Sequence, residues 1–185
     1  MNFLTRNRIW GLVLALAMFG LDRLVKWWLL GPMQLREKGE IYLLPFFQFT
    51  WTQNIGVSLG MLPAQSTEMR LGLVALTVAI ALFVLVWMMI EKKMWDIVPL
   101  SLILGGAAGN ILDRWRVGYV VDYADLHFGS FRPFLIFNLA DVAISLGVLI
   151  MLARWLFLRE KPGDASESAG AEPASEPTEK AAETN

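Results

Sequence analysis

LGLVALTVAIALFVLVWMMI, residues 71–90, is twenty residues without a single charge. A helix rises about 1.5 Å per residue, so such a run covers about 30 Å, the thickness of a bilayer's hydrocarbon core. This stretch decides the fold class. A chain committed to lipid must satisfy its backbone polar groups internally and is confined to helices or closed barrels. Composition agrees, since 56% of the 185 residues are hydrophobic and 18% are charged, with a mean hydropathy of +0.49, against about 25% charged in a typical soluble domain. Cysteine is absent and histidine occurs once, at His127. Disulfides, thiolate nucleophiles, Cys-containing zinc sites and multi-His metal sites are therefore excluded, and neither a metal nor a cofactor is expected.

Outward from this run lie three more apolar stretches, at residues 9–30, 97–112 and 135–158. The third contains Pro99, Gly105, Gly106 and Gly109, residues that membrane helices tolerate. The expected architecture is an all-α integral membrane protein with four transmembrane helices and outer loops at 31–70 and 113–134. Arg6 and Arg8 precede the first span, Lys92 and Lys93 occupy the turn between the second and third, and Arg154, Arg159 and Lys161 close the fourth. That bias puts both termini in the cytoplasm, although Arg36, Lys38, Arg70, Arg114, Arg116 and Arg132 lie on the other side. A cleavable signal peptide competes for the first span, because Arg6 and Arg8, an apolar run and Ala15-Leu16-Ala17 imitate its three regions. Apolar sequence nevertheless continues through Phe19, Leu21 and residues 27–30, and loop charges do not separate the two readings. Residues 162–185 carry six acids, one base and no large apolar side chain, which reads as a disordered acidic cytoplasmic tail.

Two segments between spans have strand character. Residues 47–52 alternate apolar and polar, and residues 117–127 are rich in Val and Tyr. Pairing them would make a small sheet on the outer membrane surface.

Ionisable groups inside spans are costly, so each is a functional hypothesis. The topology puts Asp22 and Lys26 in the outer half of the first span, Asn110, Asp113 and Arg114 at the outer end of the third, and Asn138 and Asp141 in the first turns of the fourth. Spacings of three and four residues keep each set on one helix face, and Asp122 lies on the loop joining the last two sets. Carboxylates held close together share a proton, so the ionised one can deprotonate a water while the protonated one polarises a carbonyl. That is the logic of an aspartyl protease. Neighbouring Asn and Arg groups would hold substrate backbone or steady the acids.

Other readings stay open at this stage. The polar residues could be glue between helices, with Gly105-x-x-x-Gly109 allowing close approach, or a proton relay or small-transporter site, although no internal repeat is visible. Gly56-Val57-Ser58-Leu59-Gly60 matches G-x-S-x-G, and His127 follows later acids, but that elbow needs a soluble α/β sheet this chain does not build. Ser58 with Lys26 would be a Ser–Lys dyad.

Several blocks together resemble the bacterial lipoprotein signal peptidases, or type II signal peptidases. Asp22-Arg-Leu-Val-Lys26 is similar to the family's first-span motif, and Asn54-Ile-Gly56-Val-Ser-Leu to its outer-loop block. Gly105-Gly-Ala-Ala-Gly-Asn110-Ile-Leu-Asp113-Arg114 resembles the third-span signature, followed by Val120-Val-Asp122-Tyr and Phe137-Asn138-Leu-Ala-Asp141. The similarity covers roughly residues 10–160. Val25 stands where the family often has Ser or Thr, and Leu59 where Phe is common. The resemblance implies an inner-membrane aspartyl endopeptidase that removes signal peptides from diacylglyceryl-modified prolipoproteins, cutting before the lipidated cysteine. It implies Asp122 and Asp141 as the catalytic pair, with Asn54, Gly56, Asn110, Asp113, Arg114 and Asn138 as the binding and supporting set, and Asp22 and Lys26 as structural polar residues. The implied fold adds a short loop helix within residues 63–70. The implied partners are the lipid-modified prolipoprotein and membrane lipids, with no nucleic acid, and the chain is expected to act as a monomer. For such a substrate the acids should lie near the outer leaflet, beside an apolar groove between helices for the acyl chains.

Overall fold

The computed structural model describes residues 5–56 and 67–157. In chain order they form α1 (Arg6–Leu30), α2 (Leu35–Lys38), β1 (Glu40–Leu44), β2 (Phe47–Asn54), α3 (Thr67–Ile90), α4 (Met94–Val117), β3 (Val120–Leu126) and α5 (Leu139–Phe157). Among the described residues, three helices, within α3, α4 and α5, are long and apolar enough to cross a membrane. Helix α1 has comparable length, 25 residues, but carries Asp22, Arg23 and Lys26 on its later turns. The outward faces of α3 and α5 are apolar, with Leu76, Phe83, Leu149 and Phe157 all exposed. Lipid is the solvent in which that arrangement costs nothing.

Helix α4 is the hub, packed against α1, α3 and α5. Its glycines let neighbouring backbones come close. A Cβ on Gly105 would fall 2.5 Å from the Ala15 carbonyl oxygen of α1, and one on Gly106 would collide with the Ala140 carbonyl oxygen of α5. Away from these contacts, Val84, Met88, Ile97, Leu100 and Ile103 make a buried apolar cluster. At one end of the bundle Arg8 donates to the carbonyls of Ile90 and Glu91, and Arg154 pairs with Asp96 at 2.8 Å, tying the helix ends together. The sheet sits at the other end.

That sheet has the order β1-β2-β3, antiparallel throughout. A bulge between Phe49 and Thr52 shifts the β2 register, so that Phe49 faces Ala124 while Thr52 faces Asp122. Leu29, Leu35, Tyr123 and Ala124 form the second apolar cluster, which seats the sheet on α1 and α2. The strand character read at 47–52 is β2, that read at 117–127 is the shorter β3 because Val117 still belongs to α4, and β1 is a third strand that lacked a clear alternation.

Several helix boundaries also differ from expectation. The third span, read as 97–112, is a helix from Met94 to Val117 that ends at Gly118 in a left-handed conformation, φ 90°. The fourth, read from residue 135, starts at Leu139, because Phe137 bridges to Ala124 of β3 and keeps the preceding segment extended. Of the loop helix expected within 63–70, residues 67–70 are instead the first turn of α3. Residues 63–66 lie outside the described residues, as do Ser58, Leu59 and the tail at 162–185.

Candidate active site

The polar residues gathered at the sheet end of the bundle fall into two groups. The first is ionic. Asp113 of α4 accepts from Arg23 Nη1 at 2.6 Å, from Lys26 Nζ at 2.7 Å and from the backbone N–H of Val121 at 3.2 Å. Asp22 takes the other Arg23 nitrogen at 2.7 Å and lies 3.0 Å from Lys26. Two acids and two bases thus neutralise one another where α1, α4 and β3 meet. Asp22, Lys26 and Asp113 are all buried, where ions persist only if paired and hydrogen-bonded. Asp113 therefore faces α1, apart from the other two carboxylates of the cluster.

The second group links Asp122 to Asp141 through two amides. Asn138 Nδ2 donates to Asp122 Oδ1 at 2.5 Å and to Asn110 Oδ1 at 3.3 Å, while Asn110 Nδ2 donates to Asp141 Oδ1 at 2.8 Å. Local sequence explains each placement. Asn138 precedes α5 and accepts the Asp141 N–H at 2.9 Å, while Asp141 Oδ2 accepts the Asn138 N–H at 3.2 Å. This is a reciprocal capping box, which satisfies two orphan donors of the first helical turn and aims both side chains at the same point. Asn110 reaches α5 because Gly106, one turn earlier on α4, permits the close approach. Asp122 is delivered from β3 and is 2% exposed.

Asn54, at the end of β2, completes the ring. Its side chain hydrogen-bonds to Asp122, and its Oδ1 accepts the Gly56 N–H at 2.9 Å. Gly56 adopts φ 83°, and a Cβ there would lie 2.8 Å from Leu73, so glycine alone suits the position. Arg114 lies beside Gly56, and its buried Nε has no partner among the described residues. Burial pushes the Asp122 carboxyl up to about 6, helped by the negative charge of Asp141 and opposed by the hydrogen bonds from Asn138 and Asn54.

Two cavities meet at the pair. A cleft of about 640 Å³ is lined by Asn54, Gly56 and Asp122 on one side and by Arg132, Pro133 and Phe134 on the other. A groove of about 390 Å³ runs along α5 past Asp141, Val142, Leu146 and Leu149. Phe134 and Leu135 line both. The groove lies along α5 beside Phe134, Leu135 and Phe137.

The family model described as Signal peptidase (SPase) II matches residues 14–157. The chain belongs to the signal peptidase II family. Similar proteins include the lipoprotein signal peptidase of Sphingopyxis alaskensis, 50% identical over 155 residues, covering 84% of this chain and 90% of that one. The lipoprotein signal peptidase of Rhizorhabdus wittichii is also 50% identical, over 140 residues, covering 76% and 81%. Two solved bacterial membrane enzymes share the fold, with TM-scores of 0.65 and 0.67 at 25% and 26% identity, covering 88% and 80% of this chain and 93% and 92% of theirs. The protein is thus an integral membrane peptidase.

Sequence reasoning missed a second polar cluster in this peptidase. Asp125 of β3, fully buried, accepts from Arg132 Nε at 3.1 Å and from Gln48 at 3.2 Å. Burial alone would raise its carboxyl, but the hydrogen bonds and charge of Arg132 outweigh that and hold it below the ordinary range. The pair pins the segment that walls the cleft. A second acid, three residues after Asp122 in a strand otherwise built of Val, Tyr, Ala and Leu, was the available signal. Tyr123 was also missed; its hydroxyl accepts the Leu139 N–H at 3.1 Å, and burial raises its phenol. His127 sits just past β3, away from the acidic pair.

Proposed function

We propose that this chain is a membrane aspartyl endopeptidase that removes signal peptides from diacylglyceryl-modified prolipoproteins, cleaving before the lipidated cysteine with a water activated by Asp122 and Asp141. The observation that carries this reading is the amide-linked pair itself, with one acid lining the cleft beside Asn54 and the other the apolar groove. A scissile bond at the junction of Phe134 and Leu135 with the two acids would have its peptide in the cleft and its lipid beside the groove. Asp122, whose carboxyl is raised by burial and by the charge of Asp141, holds the shared proton and polarises the scissile carbonyl. The ionised partner takes a proton from water, and the resulting hydroxide adds to the carbonyl carbon. Collapse of the tetrahedral intermediate returns a proton to the leaving amine. Asn54 and Asn138 hold Asp122 in register, Asn110 holds Asp141, and the Arg114 guanidinium, which lies beside Gly56, supports the cleft wall. Gly56 keeps the cleft wall close, and the ion quartet of Asp22, Arg23, Lys26 and Asp113 braces β3.

In this reading α1 is a fourth crossing helix, whose charges are neutralised by the quartet and by its contact with α4. Both termini face the cytoplasm, the site lies at the outer leaflet of the inner membrane, and one chain suffices for activity. The relatives named lipoprotein signal peptidase support the substrate class.

Cleavage of a purified diacylglyceryl-modified prolipoprotein, followed by gel shift, tests the proposal. Wild type should cut the lipidated precursor and leave an unlipidated one intact. Asp122→Asn and Asp141→Asn should each retain helical content and lose activity by at least about 10³-fold, the order expected when one member of an acid–base unit is removed. Normal turnover by either variant removes the pair from the mechanism. Chelators should leave the rate unchanged.

A further inference from the structure

The groove along α5 is apolar except at two positions, Asp141 and Ser145, which stand one helical turn apart. Ser145 is exposed in it. A hydroxyl on a helix in lipid ordinarily satisfies itself by donating to the carbonyl three or four residues earlier. The other described hydroxyls within the spanning helices do so: Thr77 donates to Leu73 at 2.8 Å and Ser101 to Ile97 at 2.7 Å. Ser145 makes no hydrogen bond among the described residues, although the Asp141 carbonyl stands at the same spacing. Its donor is left facing an apolar groove of about 390 Å³, within the roughly 300–1,000 Å³ that encloses small ligands.

We infer that Ser145 is a specificity-determining contact that donates a hydrogen bond to an ester carbonyl of the substrate's diacylglyceryl group while an acyl chain lies along Leu146 and Leu149. The inference rests on the peptidase reading above. Continuity with the catalytic cleft selects this occupant over a bilayer lipid, since Phe134 and Leu135 line both cavities and Asp141 stands at the groove's head. Ser145 is four residues past Asp141, about 6 Å along the axis. The thioether-linked glycerol that separates the scissile bond from the esters is long and flexible enough to span that turn. From Asp141 to Leu149 the groove runs about 12 Å, with the hydroxyl placed where the lipid changes from polar to apolar. A dry groove strengthens one well-placed donor, because the competing water is absent.

The test compares two precursors identical except in lipid, one with an ester-linked diacylglyceryl group and one with an ether-linked dialkylglyceryl group, which lacks the carbonyls. The full chain is assayed in an alkyl maltoside detergent, which contains no ester. Wild type should favour the ester precursor by about 5-fold in kcat/KM, the worth of one hydrogen bond. In Ser145→Ala the ratio should fall to about one, with the loss on the ester side and in KM. Ser145→Thr should restore the preference. A preference unchanged in Ser145→Ala overturns the inference. So does a wild-type ratio near one with both precursors cleaved, which assigns the groove to bilayer lipid and leaves the peptidase reading intact. Failure of wild type to cleave either precursor overturns both.

Discussion

Asp122 is a buried acid that stands outside the spanning helices, on β3. Burial and the charge of Asp141 raise its carboxyl to about 6, whereas in an unfolded chain it titrates near 3.9. A folded-state value above the unfolded one means that protonation favours the fold. The stabilising contribution is complete below about pH 4 and is lost as the pH rises through 6. Asp122→Asn removes the cost of the buried charge and leaves an oxygen to accept from Asn138. Its stability relative to wild type should therefore rise between pH 4.5 and 7.5, by on the order of 1–3 kcal/mol, even as cleavage is lost. Thermal unfolding in detergent at both pH values measures this, and a difference independent of pH would contradict it. Asn138 was legible as a site residue from its spacing to Asp141. Its double duty was not, because a capping box depends on where the helix starts. Asn138→Ala should weaken the start of α5 by about 1 kcal/mol and reduce cleavage far more than stability, since it also frees Asp122.

At the level of elements, the close contact of α4 with α5 sets the geometry of the pair. The 2.8 Å bond from Asn110 to Asp141 exists only because Gly106 lets the Ala140 carbonyl approach. Gly106→Ala should force α5 outward, cost about 1–3 kcal/mol through overpacking and abolish most cleavage. Gly72→Ala on α3, where a Cβ would meet nothing within 4 Å, serves as the control and should behave as wild type. Comparison of melting temperature and initial rate for the two variants decides the point, and equal behaviour would mean that this contact does not position the acids. The glycines were visible in the sequence as a close-packing motif. Which helix each one faces was not, since a three- or four-residue spacing defines a face without naming its partner. For the same reason Asp113 read as a third acid of the site, although it turns to α1.

Across the whole molecule, the basic groups Arg8, Lys92, Lys93 and Arg154 lie at the bundle end opposite the sheet. In the proposed topology the positive-inside bias puts that end in the cytoplasm. Because cysteine is absent, single-cysteine variants report sidedness without background. Lys38→Cys should react with an impermeant maleimide in intact spheroplasts, and Lys92→Cys only after the membrane is opened. The reverse pattern would invert the orientation and put the acids at the inner leaflet.

Hydropathy and spacing in the sequence were enough to commit this chain to a membrane, to mark the pairing segments of the sheet and to assemble the polar residues at one end, because burial in lipid is written directly into composition and period. The start of α5 was beyond them. Residues 135–137 are equally apolar as helix or as extended chain, and only the bridge from Phe137 to Ala124 decides between the two. Tertiary structure likewise chose the partners of Asp113, created the Asp125–Arg132 clamp and set the two cavities on either side of Phe134 and Leu135. Apart from the clamp, which spans seven residues, those are contacts between elements distant in sequence, and their energies depend on where the backbones meet, which no local pattern encodes.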